Sequence, residues 1–129
     1  ALNLMDRFSR FTTVYGYRFE GVPEVYGGRP GSYHGAEVAF FFGNLDRMRI
    51  PVTEENRAVI TRLQGDWLAF IRDGAVPGRQ AFEPESARIT RYRDDGAVET
   101  IAFPHAGLLR DLEETDLSSR VVNAYMRQR

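Results

Sequence analysis

The segment TTVYGYRFEG, residues 12–21, constrains the fold more than any other part of the chain. Thr12, Val14, Tyr15, Tyr17 and Phe19 are β-formers that fall on both faces of an extended segment, with Gly21 and Pro23 closing it. A strand that is apolar on both faces belongs inside a sheet covered on both sides, which is an α/β arrangement. Such a strand also needs neighbours along its two edges, because an unpaired edge exposes a row of backbone donors and acceptors. The rest of the chain offers little extended sequence to supply them. The expectation is therefore one end of a larger α/β layer, with residues 1–129 forming a single segment trimmed from a longer domain.

After the strand comes GVPEVYGGRPGSYHG, residues 21–35, rich in glycine and proline and hence a loop. It holds Tyr26, Tyr33 and His34, and His34 is one of only two histidines in the chain. Loops that follow a buried strand are where α/β folds place their chemistry. Gly35 permits a sharp backbone turn, so a ring at position 34 can project past the strand end. An imidazole titrating near neutrality can take a proton from a hydroxyl nucleophile and return it to a leaving group. Taken alone, a loop histidine is more often a plain hydrogen-bonding residue. A short apolar run, Val38-Ala39-Phe40-Phe41-Phe42, follows Glu37.

Thr53 then opens the clearest helix, as an N-cap hydroxyl before two first-turn carboxylates, Glu54 and Glu55. Ile60, Leu63, Trp67, Phe70 and Ile71 recur at helical spacing as one apolar stripe. Gly65 lowers local helix propensity and suggests close packing against a neighbour. Gly74 suits the left-handed position that ends the helix. ARITRYR and AVETIAF, on either side of Asp94-Asp95-Gly96, read as a hairpin. A last helix is expected from about Asp116, with Leu117, Val121, Val122, Tyr125 and Met126 on its apolar side.

The order of these features resembles the C-terminal end of type-B carboxylesterases, the family that includes bacterial para-nitrobenzyl esterases and cholinesterases. VYGYRF, the Gly/Pro loop, HGAEVAFFFG and WLAFIRDGAVPG follow one another as that family's Tyr-rich strand, histidine loop with H-G-x-E, aromatic stretch and long helix do. The likeness covers most of residues 14–78. It departs at Tyr33, where many relatives carry a small or aliphatic residue, and at Phe82-Glu83-Pro84, where the family has a Trp-Pro pair. The resemblance implies an α/β-hydrolase fold made of a sheet strand, a catalytic-histidine loop, a long helix, a β-hairpin and a C-terminal helix. It implies ester hydrolysis through a serine, with His34 as general base and then general acid. Gly35, Glu37 and Tyr33 would shape the loop around that histidine, Glu37 by satisfying backbone donors or fixing the turn. No metal or cofactor is called for, and the substrate would be a small-molecule ester.

The family's nucleophile lies in a G-x-S-x-G turn upstream of the histidine, with the acid between them. Residues 1–129 contain neither that pentapeptide nor an H-G-G-G loop, and Ser9, Ser32, Ser86, Ser118 and Ser119 are on no strand-to-helix elbow. The chain alone is thus expected to be inactive and to need a missing N-terminal part of the esterase as its partner. The alternative is a non-catalytic module that binds a partner or a second copy of itself as a homodimer. A small acid-base or metal enzyme built on His34, Glu37 and His105 is a weaker reading, since a catalytic metal usually takes three protein ligands. A net charge of -1, with all basic residues arginine and scattered, argues against nucleic acid or an anionic membrane as partner. The longest apolar run is far shorter than the ~20 residues that span a bilayer. Without cysteine there are no disulfides or thiolate sites, and nothing in the sequence fixes a compartment, although a soluble cytoplasmic chain is the favoured expectation.

Overall fold

A computed structural model describes residues 1–24 and 31–114. The elements in chain order are α1 (Leu2–Phe8), β1 (Tyr17–Phe19), α2 (Ala36–Phe41), α3 (Glu54–Asp73), β2 (Arg88–Tyr92), β3 (Val98–Ala102) and α4 (Ala106–Glu114). The three strands form one mixed sheet in the order β1-β2-β3. β1 runs parallel to β2, with Tyr17 opposite Thr90 and Phe19 opposite Tyr92, and β2 runs antiparallel to β3.

Successive residues of β2 point to opposite faces, and the two faces feed separate cores. Tyr92 joins Ala39, Phe40, Leu45, Val59 and Leu63 beneath α2 and α3. Ile89 joins Leu2, Phe82 and Ala87, with Met5 of α1 packed against them. Helices therefore cover both faces of the sheet, which is the layering expected of an α/β chain.

α3 forms where the sequence signals it. Thr53 Oγ1 accepts a hydrogen bond from the Asn56 backbone N–H at 3.1 Å, and Asn56 Oδ1 accepts one from the Thr53 N–H at 3.4 Å, a reciprocal capping box. Asn56 Nδ2 also donates to the Val22 carbonyl at 3.0 Å, so the helix start is tied to the chain leaving β1. Gly74 ends the helix in the left-handed region at φ 67 and donates to the Phe70 carbonyl at 2.8 Å. The hairpin turn is also as expected. Gly96 has φ 80, Asp95 Oδ1 accepts from the Ala97 N–H, and the turn presses so closely on α3 that a Cβ at Gly96 would meet that of Ala58 at 2.7 Å.

Several expectations need correction. β1 is three residues long, because its register with β2 begins only at Tyr17, and the preceding Thr12 and Thr13 are exposed. It is not covered on both faces by the described residues, since Tyr17 is 39% exposed and Arg18 lies open. The stripe on α3 is buried at Leu63 and partly at Ile60 and Trp67, while Ile71 is 68% exposed. Gly65 contacts no neighbour, since nothing lies within 4 Å of the Cβ it would carry. Most of the run 38–42 lies in the short helix α2, in which Ala39 and Phe40 are buried while Val38 and the C-cap Phe42 are exposed. The helix expected from about Asp116 lies outside the described residues. α1 and α4 are additional elements, joined by an ion pair between Arg110 and Asp6 at 2.7 Å.

Candidate functional site

His34 stands where a parallel strand hands over to a helix. β1 ends at Phe19, and the next residue is still held to the sheet by a hydrogen bond from the Glu20 N–H to the Tyr92 carbonyl at 2.8 Å. After the loop, Ser32 Oγ donates to the Phe19 carbonyl at 3.4 Å, which brings the chain back to the carboxyl end of β1. A tight turn follows, closed by the Ala36 N–H on the Tyr33 carbonyl at 3.0 Å, with His34 and Gly35 at its corner. Gly35 adopts φ 83, the left-handed region in which any side chain would be strained, and it caps α2. The next turn is anchored by Phe40, fully buried and edge-on to Phe19 of β1 with ring centroids 5.0 Å apart. The histidine corner is therefore clamped to the strand end from both sides.

The His34 side chain is exposed, and its ring makes no hydrogen bond to any described residue. Such an imidazole is free to exchange protons with a group brought to it. Among the described residues no serine hydroxyl is hydrogen-bonded to it. Ser32 is engaged with the Phe19 carbonyl, and Ser9 and Ser86 each donate to a backbone carbonyl three residues back, on Asp6 and Glu83. Ser118 and Ser119 lie outside the described residues.

The other sequence candidates separate. Tyr33 is exposed and contributes its backbone carbonyl to the turn. Glu37 is half-buried in the first turn of α2. Burial first, and then the Glu37 carboxylate, push the Tyr17 hydroxyl above the usual tyrosine range, while the Trp67 indole opposes them. Tyr17, Trp67 and Phe41 form an aromatic group, with Trp67 5.0 Å from Phe41 and 6.2 Å from Tyr17. His105 sits at the far end of the hairpin at φ 57, where its carbonyl accepts the Leu109 N–H of α4. Among the described residues no three His, Asp or Glu side chains are grouped as a metal ion would require. Arg91 and Arg93 of the hairpin are paired with Glu20, Glu99 and Asp95.

One polar group was not foreseen. Asp66 on α3 accepts hydrogen bonds from Arg79 Nε and the Tyr92 hydroxyl on the same oxygen, each at 2.6 Å. Burial and the adjacent carboxylate raise the Tyr92 pKa well above its ordinary value, so its hydroxyl acts as donor. The three residues are spread over 27 positions, with no spacing that marks them in the sequence.

No family model matches the sequence, and no curated protein matches it. Solved structures do. A para-nitrobenzyl esterase superposes with a TM-score of 0.70 at 23% identity, covering 83% of this chain and 23% of its own. A thermophilic para-nitrobenzyl esterase superposes at 0.71 and 24% identity, covering 87% of this chain and 24% of its own. The described sheet and helices thus share the fold of part of those two structures, and the chain spans less than a quarter of the length of either.

Proposed function

We propose that the chain is the C-terminal part of a serine carboxylic-ester hydrolase, and that His34 is the histidine of its catalytic triad. The serine, the acid that orients the imidazole and the oxyanion donors come from the part of the enzyme outside these residues. His34 takes the serine proton as the hydroxyl attacks the ester carbonyl. It then gives that proton to the departing alcohol, and repeats the exchange with water to release the acid. The chemistry needs neither metal nor cofactor. Gly35, Glu37 and Tyr33 shape the turn that carries the ring: Gly35 by its left-handed backbone, Tyr33 by closing the turn, and Glu37 as the first-turn carboxylate of the helix that follows.

One observation carries this reading. An exposed imidazole is fixed at the carboxyl end of a strand paired in parallel, through the Ser32–Phe19 hydrogen bond, and ligands of α/β sheets gather at those strand ends. The small coverage of the esterase structures agrees with a segment of a larger enzyme. A second reading, a free-standing module that binds a partner or a second copy, draws support from the outer edge of β1, which pairs with no described strand.

Hydrolysis of para-nitrophenyl acetate tests whether these residues complete a site by themselves. The 129-residue chain and its His34→Ala variant are expected to give the same rate, no faster than free imidazole at equal concentration. Turnover by the chain that disappears with the substitution would show that its own residues complete the site, against the proposal.

A further inference from the structure

Under α3, on the sheet face that carries Tyr92, lies an open cleft of about 160 Å3. Tyr15, Tyr17, Trp67 and Phe70 form its apolar walls, and Asp66 and Arg79 its polar end. The rings meet edge to face, Tyr15 with Phe70 at 5.9 Å and Tyr17 with Tyr92 at 5.8 Å, leaving aromatic surface to stack on a guest. An apolar cavity of about 150 Å3 is known to hold one benzene ring, so this volume suits a single six-membered ring.

The polar end selects what that ring carries. Asp66 Oδ2 is saturated by Arg79 and Tyr92, whereas Oδ1 accepts from no described residue. Arg79 has five N–H donors, and its hydrogen bond to Asp66 uses the one on Nε. A spare acceptor and spare donors therefore stand side by side on a half-buried pair of zero net charge. An anionic guest would meet the Asp66 carboxylate and a cationic one the Arg79 guanidinium, each giving up water for an unfavourable neighbour. A neutral group that both donates and accepts satisfies the two together.

We infer that this cleft binds a single aromatic ring bearing a neutral amide, of which benzamide is the simplest example. The site is separate from the histidine corner and does not depend on the esterase reading. Trp67 is the only tryptophan and lines the cleft, so its emission reports occupancy directly.

The test titrates the 129-residue chain with benzamide, benzoate and benzylamine while following that emission. Benzamide is expected to give a saturable change, with the two charged probes weaker by about tenfold or more. Asp66→Asn leaves Arg79 without its counter-charge and is expected to turn the preference toward benzoate. Phe70→Ala, at a partly exposed wall position, is expected to weaken benzamide several-fold without disturbing the core, and it serves if Asp66→Asn does not fold. A flat benzamide titration, equal response to all three probes, or unchanged benzamide binding in Phe70→Ala would overturn the inference. None of those results bears on His34.

Discussion

If the chain is the C-terminal part of a serine esterase, as proposed, ester hydrolysis by the longer polypeptide is expected to fall by at least about 10⁴-fold in kcat/KM when His34 is replaced by alanine, with no loss of folding. The chemical half follows from the role: without the imidazole, no group takes the serine proton as the carbonyl is attacked. The structural half follows from the position. His34 is exposed and its ring bonds to no described residue, so the substitution leaves no buried donor or acceptor unpaired and opens no cavity. Surface changes of that kind stay within about 0.5 kcal/mol. Steady-state kinetics and urea unfolding of the same two proteins check both halves. A His34→Ala protein that retains most of its activity removes the histidine from the mechanism, whereas one that loses activity only because it unfolds makes its role structural.

The largest stability effect is expected a few residues further on. Phe40 is fully buried, at the centre of the core shared by α2, α3 and β2, and its ring meets Phe19 edge to face. Phe40→Ala removes a whole aromatic side chain from a packed site and is expected to cost about 3–5 kcal/mol. That is a large part of the ~5–15 kcal/mol by which a small domain is stable. Phe42, two residues on, is 66% exposed, and Phe42→Ala is expected to stay within about 0.5 kcal/mol. Urea titrations followed by circular dichroism give both values, and equal effects at the two positions would contradict the packing of α2. The consequence reaches the site, because Phe40 is what seats α2, and with it the His34 turn, against β1.

The sequence was most readable where local chemistry decides the structure. The ends of α3 follow from Thr53, Asn56 and Gly74 alone, and the hairpin from Asp95 and Gly96, since caps and turns are set by the residues that make them. The His34 corner was also legible, because a glycine beside a histidine after a β-rich segment is a local pattern. What was misread depends on distant partners. The length of β1 is fixed by β2, more than 70 residues away, and no periodicity in residues 12–19 announces where that pairing begins. α1 has no side-chain cap, and it is held instead by Leu2 in the second core and by the Asp6–Arg110 pair. The group of Asp66, Arg79 and Tyr92 exists only once α3, the following loop and β2 come together.

The exposed apolar side chains bear on the proposed reading. Phe11, Leu68 and Ile71 are all open to solvent. Together with the unpaired edge of β1, they are what a segment taken from a larger layered enzyme would display.

An intact-mass measurement after treatment with a fluorophosphonate, which bonds covalently to an activated serine, addresses directly where the nucleophile lies. Residues 1–129 should remain unmodified at Ser9, Ser32, Ser86, Ser118 and Ser119, while the longer polypeptide gains one adduct on an upstream serine, and gains it far more slowly with His34→Ala. An adduct on any of those five serines, or labelling of the longer polypeptide at an unchanged rate without His34, would contradict the assignment.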